Sequence, residues 1–136
     1  MSANAILAPI SPGELLDKLT ILRLKSERIA EPEKRANVER ELALLEAVWR
    51  AQPRAEELRA EEAALVRVNA ALWDVEDALR ALEAEQRFDA EFVALARSVY
   101  RHNDERAALK RRVSARLGSA LIEEKSYAAP RVRERD

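Results

Sequence analysis

The 136 residues include no cysteine, which excludes disulfides and thiolate metal sites. Glycine occurs twice and histidine once. Neither glycine sits in a phosphate-binding loop, a His-rich metal site cannot be built, and a nucleophile–histidine pair would have to use His102. Aromatic residues make up only 4% of the chain, so its apolar content is mostly Ala, Leu and Val. An excess of charge of either sign is also missing. Twenty-four basic residues face 25 acidic ones, for a net charge of −1. That balance removes the general electrostatic reason to expect nucleic acid or an anionic membrane as a partner. No apolar run approaches the roughly 20 residues of a membrane span, and the N-terminal stretch is too short for a signal peptide. The expectation is a soluble, cytoplasmic protein with no cofactor.

What is present favours helix. Hydrophobic residues reach 48% and charged residues 36%, with few β-branched side chains, a mixture that suits long helices and opposes a sheet. The expected fold is all-α, an elongated antiparallel bundle of about four helices in one domain spanning 1–136. Residues 1–10 read as an extended arm in which AILAPI could lie in an apolar groove, and 128–136 read as a flexible charged tail. Ser11 opens the first helix, with Pro12 at its first position and Glu14 completing a capping box. A second helix starts at Pro32 and carries Val38, Leu42, Leu45 and Trp49 as one stripe, and Pro53 marks a break. The third helix repeats Leu58, Leu65, Leu72 and Leu79 every seven residues, a coiled-coil-like seam. Asp89 caps the fourth, with Phe88 and Val93 placed as a hydrophobic staple, and Gly118 supplies a left-handed stop after Leu117. Trp49, Trp73 and the broad apolar face of the first helix call for cover, most simply from a twofold homodimer.

Polar residues interrupt the apolar stripes. On the fourth helix, Leu95, Val99, His102, Arg106, Leu109 and Val113 recur at spacings of four and three, so His102 and Arg106 stand where Leu or Val would pack. Asn103, Lys110 and Tyr100 lie alongside. On the third, Glu62, Asn69, Trp73, Glu76 and Arg80 run beside the leucine seam, with Asp77 adjoining. In the first, Asp17 and Lys18 sit within SPGELLDKLTILRLK, the most apolar segment of the chain. If these faces converge, Asp17, Glu76 and Asp77 meet Arg97, Arg106 and Lys110. Lys18 points outward, toward Glu14.

Such a cluster is either a closed set of ion pairs that fixes helix register or a pocket for an anionic ligand. The pocket would be built from Asp17, Asn69, Glu76, Tyr100, Asn103, Arg106 and Lys110. No catalytic residue and no metal ligand stands out. Asp74, Glu76 and Asp77 have a spacing that Mg²⁺ sites use, but acids are abundant enough here for chance to produce it. LIEEKSY, residues 121–127, has Leu121, Ile122 and Tyr127 as anchors for docking on the bundle or on a second subunit. The two functional expectations are a non-enzymatic interaction or scaffold module, and a binder of, or enzyme for, a phosphorylated, sugar-nucleotide or carboxylated metabolite. Partners would be a second copy, possibly another protein, or an anionic small molecule.

Taken together, SPGELLDKLTILRLK, VNAALWDVED, LARSVYRHNDERAALK and EEKSY resemble a bacterial family of small helical proteins defined only as a domain of unknown function. The likeness covers about residues 10–127 and implies an all-helical fold, with no catalytic residues to carry over. A looser likeness to helical chorismate mutases rests on Arg23, Lys25 and Arg28, whose spacing departs from that pattern.

Overall fold

The computed structural model describes residues 4–128, and all statements below concern that range. Helix α1 spans Pro12–Arg28 and starts as its capping residues dictate. The Glu14 amide donates to the Ser11 hydroxyl at 3.2 Å, with Pro12 in the first turn. Only half of the expected capping box forms. The Glu14 carboxylate turns away from Ser11 and meets Lys110 Nζ at 2.7 Å.

Three residues lead into α2, Pro32–Arg50. The break expected at Pro53 is a turn followed by a short 3-10 helix, Ala55–Leu58. Helix α3, Arg59–Ala84, and helix α4, Ala90–Arg116, form a hairpin of 26- and 27-residue helices, each about 40 Å long. The Asp89 side chain caps α4 by accepting from the Phe92 amide at 3.3 Å. Phe88 does not bury itself as a staple. It packs edge-on against Phe92, and both Phe88 and Val93 stay exposed. At the other end Gly118 adopts φ +65°. The amides of Gly118 and Ser119 donate back to the carbonyls of Ala115 and Ser114, the hydrogen-bond pattern of a Schellman stop.

Helix α1 is the hub, packing against α2, α3 and α4, while α3 and α4 pack along each other. Leu15, Leu16 and Leu19 of α1 meet Trp49, Leu58, Leu65, Val68, Leu109 and Val113 in one core. The leucine seam is fully buried only at Leu58 and Leu65, whereas Leu72 and Leu79 are half-buried. The apolar face of α1 and Trp49 are covered within the chain, which meets that part of the demand for cover, whereas Trp73 stays half-buried on α3. No helix of the described residues is long and apolar enough to cross a membrane. The charged tail, from residue 129 onward, lies outside the described range.

Candidate functional site

Asp17 lies on the buried face of α1, 1% exposed, opposite an inward-facing arginine of α4. Arg106 donates from Nε to Asp17 Oδ1 at 2.8 Å and from Nη2 to Oδ2 at 2.6 Å, the paired geometry that makes arginine–carboxylate contacts strong. From α3, Asn69 Nδ2 donates to the same Oδ1 at 3.0 Å and to Thr20 Oγ1 at 2.9 Å. The Thr20 hydroxyl donates to the Asp17 carbonyl at 2.7 Å. Asp17 thus ties all three helices together, which accounts for an acid in so apolar a segment. Its hydrogen bonds hold the Arg106 pKa above the ordinary guanidinium value, against the opposing effect of burial.

One turn further along α4, Lys110 is also buried and lies between two carboxylates. Its Nζ is 2.7 Å from Glu14 and 2.8 Å from Glu123. Burial works against its charged form, but the hydrogen bonds from Glu123 and Glu14 outweigh it, and its pKa is raised. The Lys110 ammonium in turn holds Glu123 below the usual carboxylate range. Arg111 pairs with Glu124 at 2.9 Å. The segment around EEKSY therefore docks through its glutamates. The expected anchors Leu121, Ile122 and Tyr127 remain exposed.

Beside the Asp17 network a groove of about 530 Å³ opens between α1 and the α3–α4 hairpin. Ile21, Leu24, Leu72 and Val99 supply aliphatic surface, Trp73 an aromatic wall, and Arg106 and Asn103 one polar end. Glu76, Asp77 and Arg80 line it as well. Arg28 caps Trp73, its guanidinium 5.7 Å from the ring centre, while also donating to Asp74 at 2.6 Å.

Of the seven residues expected to form a pocket, Asp17, Asn69 and Arg106 meet in one network, and Asn103 and Glu76 reach the adjoining groove. Lys110 belongs to the separate Glu14–Glu123 clasp, and Tyr100 is exposed and does not line the groove. Glu76 and Asp77 do not meet Arg97, Arg106 or Lys110. Glu76 faces Arg80 one turn away on its own helix, at 3.7 Å, a partner that is always within reach. Lys18 pairs with Glu41 of α2 at 3.4 Å and not with Glu14, because Lys110 occupies the Glu14 carboxylate. Asp74 and Glu76 are engaged by arginines, and among the described residues no group of three or more acids or histidines is placed to hold a metal.

Sequence reasoning left several residues without the partners the structure gives them. Thr20 completes the Asp17 network. Arg23 is held by Glu46 at 2.7 Å and by Glu62, in a second groove of about 540 Å³ beside Trp49. With Arg28 on Asp74, the arginines that suggested a chorismate-mutase likeness are tied to carboxylates. Glu61 is buried against Arg116 at 2.6 Å, and its second oxygen has no partner. Gly13 is the position whose signal was readable. It sits in the first turn with no positive φ to explain it, so close helix approach is the remaining reason for a glycine.

A family model described as a family of unknown function (DUF6165) matches residues 6–134. The chain belongs to this family. That match takes in the Asp17 network, the Lys110 clasp and the groove. Neither a curated protein nor a solved structure matches the chain. Family membership therefore carries no activity to these residues, and what the site does rests on its chemistry.

Proposed function

We propose that the protein is a non-enzymatic interaction module whose α1–α3–α4 groove receives an extended apolar segment of a protein partner. The observation that carries this reading is that the basic groups at the groove are already paired. Arg106 is neutralised by the two oxygens of Asp17, Glu76 faces Arg80, and Lys110 is held by two glutamates in a separate clasp. What the groove offers an incoming molecule is aliphatic and indole surface interleaved with amide and already paired charged side chains and the Asp77 carboxylate, a composition that can grip a peptide through side-chain pockets and main-chain hydrogen bonds.

A second reading, an anionic metabolite in the same groove, draws on one feature. Asp17 uses Nε and Nη2 of Arg106 and leaves its Nη1 without a partner among the described residues, on a side chain that lines the groove together with Asn103. That guanidinium is compensated, so an added phosphate or carboxylate would compete with Asp17 for it.

Trp73 lines the groove and Trp49 is in the core, so Trp49→Phe leaves a single reporting indole. Titration of that variant with neutral apolar hexapeptides is expected to shift Trp73 emission, and Leu72→Arg to abolish the shift. Phosphorylated, sugar-nucleotide and carboxylated metabolites are expected to leave the melting temperature unchanged. A metabolite that raises it, with the rise lost in Arg106→Ala, would replace the first reading with the second.

A further inference from the structure

The chain carries a segment with the chemistry its own groove lacks. Residues 5–10, AILAPI, precede α1 outside any helix. Ile6 and Leu7 are 92% and 96% exposed, and Ile10 is exposed as well. Two large aliphatic side chains held almost wholly in water are surface whose burial the hydrophobic effect favours. No charged side chain occurs before Glu14, and Pro9 favours an extended backbone. Among the described residues, none from 5 to 10 makes a hydrogen bond, so the arm's main-chain amides are free to be bound.

The groove is complementary in each respect. Its aliphatic surface and Trp73 match the arm's side chains. Asn103 and Asp77 line it and make no hydrogen bond or ion pair among the described residues, which leaves an amide and a carboxylate for the arm's main chain. Arg106 is compensated by Asp17 and Glu76 by Arg80, so Asp77 is the one lining charge without an ion pair among the described residues, and the strand's main-chain N–H groups would be its hydrogen-bond donors.

The arm of the same chain would fill it only by reversing direction at Ser11, whose backbone is extended, and by using most of a reach of about 20 Å. The first turn of α1 is fixed on α4, where the Gly13 amide donates to Ser114 Oγ at 3.0 Å. The groove is lined by Ile21 and Leu24, later in α1, on the order of 12–16 Å along the helix. The arm leaves from the opposite end. Resting on the reading of the groove as a peptide-docking surface, we infer that the protein pairs by exchanging arms. The AILAPI segment of each copy lies extended in the α1–α3–α4 groove of the other, and the exchange is reciprocal about a twofold axis.

The absence of cysteine makes the test clean. Leu7→Cys in one preparation and Leu72→Cys in another, mixed and oxidised, are expected to give a covalent heterodimer, since a disulfide needs Cα atoms within about 7 Å. Asn103→Cys provides a second acceptor on the groove should Leu72→Cys fold poorly. Leu7→Cys with Glu39→Cys, on the exposed side of α2, is the control and is expected not to cross-link above background. By light scattering the parent is expected at twice the mass of one chain. Ile6→Asp/Leu7→Asp is expected at the mass of one chain with unchanged helical circular dichroism.

A parent that is monomeric at every concentration overturns the exchange. So does a dimer that survives Ile6→Asp/Leu7→Asp, or a Leu7→Cys/Leu72→Cys double variant that closes only on itself. If the parent is monomeric yet free apolar peptides still shift Trp73 emission, the exchange alone falls. If neither dimer nor peptide binding is seen, the groove reading falls with it.

Discussion

Gly13→Ala sets two physical effects of opposite sign against each other. Intrinsic helix propensity says that alanine in place of glycine in a helix gains up to about 1 kcal/mol. Packing says the reverse. A Cβ at Gly13 would stand 2.1 Å from the carbonyl oxygen of Lys110, and 2.8 Å from both its carbonyl carbon and Ser114 Oγ. A carbon–oxygen contact relaxes only near about 3.3 Å, so α1 and α4 must separate by on the order of 1 Å. That separation stretches the Gly13–Ser114 hydrogen bond, now 3.0 Å, and loosens the fully buried Leu16 and Val113 beside it. A gap of that size forfeits roughly a quarter to a half of each contact it opens. Over-packing at about 1–3 kcal/mol and a weakened buried hydrogen bond at about 1 kcal/mol exceed the propensity gain. The expected net loss is about 1–3 kcal/mol, a fall in melting temperature of roughly 3–12 °C for a domain of this size. Thermal and urea unfolding followed by circular dichroism measure it. Ser114→Ala in the same chain is expected not to rescue the variant, because the nearest atom is backbone. A Gly13→Ala protein as stable as the parent would refute the close approach.

Gly118→Ala tests the other glycine, whose Cβ would meet nothing within 4 Å and whose φ is +65°. The cost is then conformational alone, about 1 kcal/mol by denaturant titration, and a neutral result would remove the left-handed stop. For the buried pair, Arg106→Ala is expected to cost about 3 kcal/mol because it strands a carboxylate that is 1% exposed. Asp17→Ala is expected to cost less, since Arg106 can turn into the groove, and the double variant less than the sum. Strict additivity in urea unfolding would contradict the contact. The 121–127 segment should respond to pH through the Lys110 clasp. Glu123 is held below the ordinary carboxylate range, so its contribution is present above the unfolded value near about 4.3 and is lost as pH falls through the lower folded one. Lys110 is raised, so its share is lost only as pH rises through its folded value, above about 10.4. The loss of stability in urea between about pH 5 and pH 3 is expected to be smaller in Glu123→Gln than in the parent, whereas an identical pH dependence of the two would contradict the clasp.

The helix starts were readable because capping is local. Ser11 and Asp89 each bind an amide three residues away, and nothing distant changes that. The Asp17–Arg106 contact was readable for a different reason. Each residue breaks an apolar stripe, and a charge on a buried face requires an opposite charge across the interface. The stripe through Glu62, Asn69, Trp73, Glu76 and Arg80 also held, since every one of them faces α1 or lines the groove. What failed was partner choice among exposed or flexible groups. Lys18 has acids within reach on two helices, Glu76 has Arg80 one turn away, and Lys110 takes a glutamate from a segment with no periodicity to place it. Tyr100 was assigned as flanking the stripe, next to Val99, but successive residues on a helix point about 100° apart, and it is exposed.

Gly13 and Asp17 are four residues apart on α1, and Lys110 and Arg106 are four apart on α4. The two contacts therefore match turn for turn in antiparallel helices, 13 against 110 and 17 against 106. Sliding α1 by one turn, about 5.4 Å, would either place Asp17 where Gly13 stands, against the Lys110 carbonyl, or set its carboxylate opposite His102. Neither alternative is tolerable, the first for steric reasons and the second because a buried charge loses its partner. One contact excludes wrong registers by shape and the other by charge, so together they specify a single seating of α1. The groove begins where this pair of contacts ends, and its α1 wall, Ile21 and Leu24, lies one and nearly two turns beyond Asp17. Its width is thus set by the same two contacts, and the ion pair that looked like a ligand site is what positions the surface next to it.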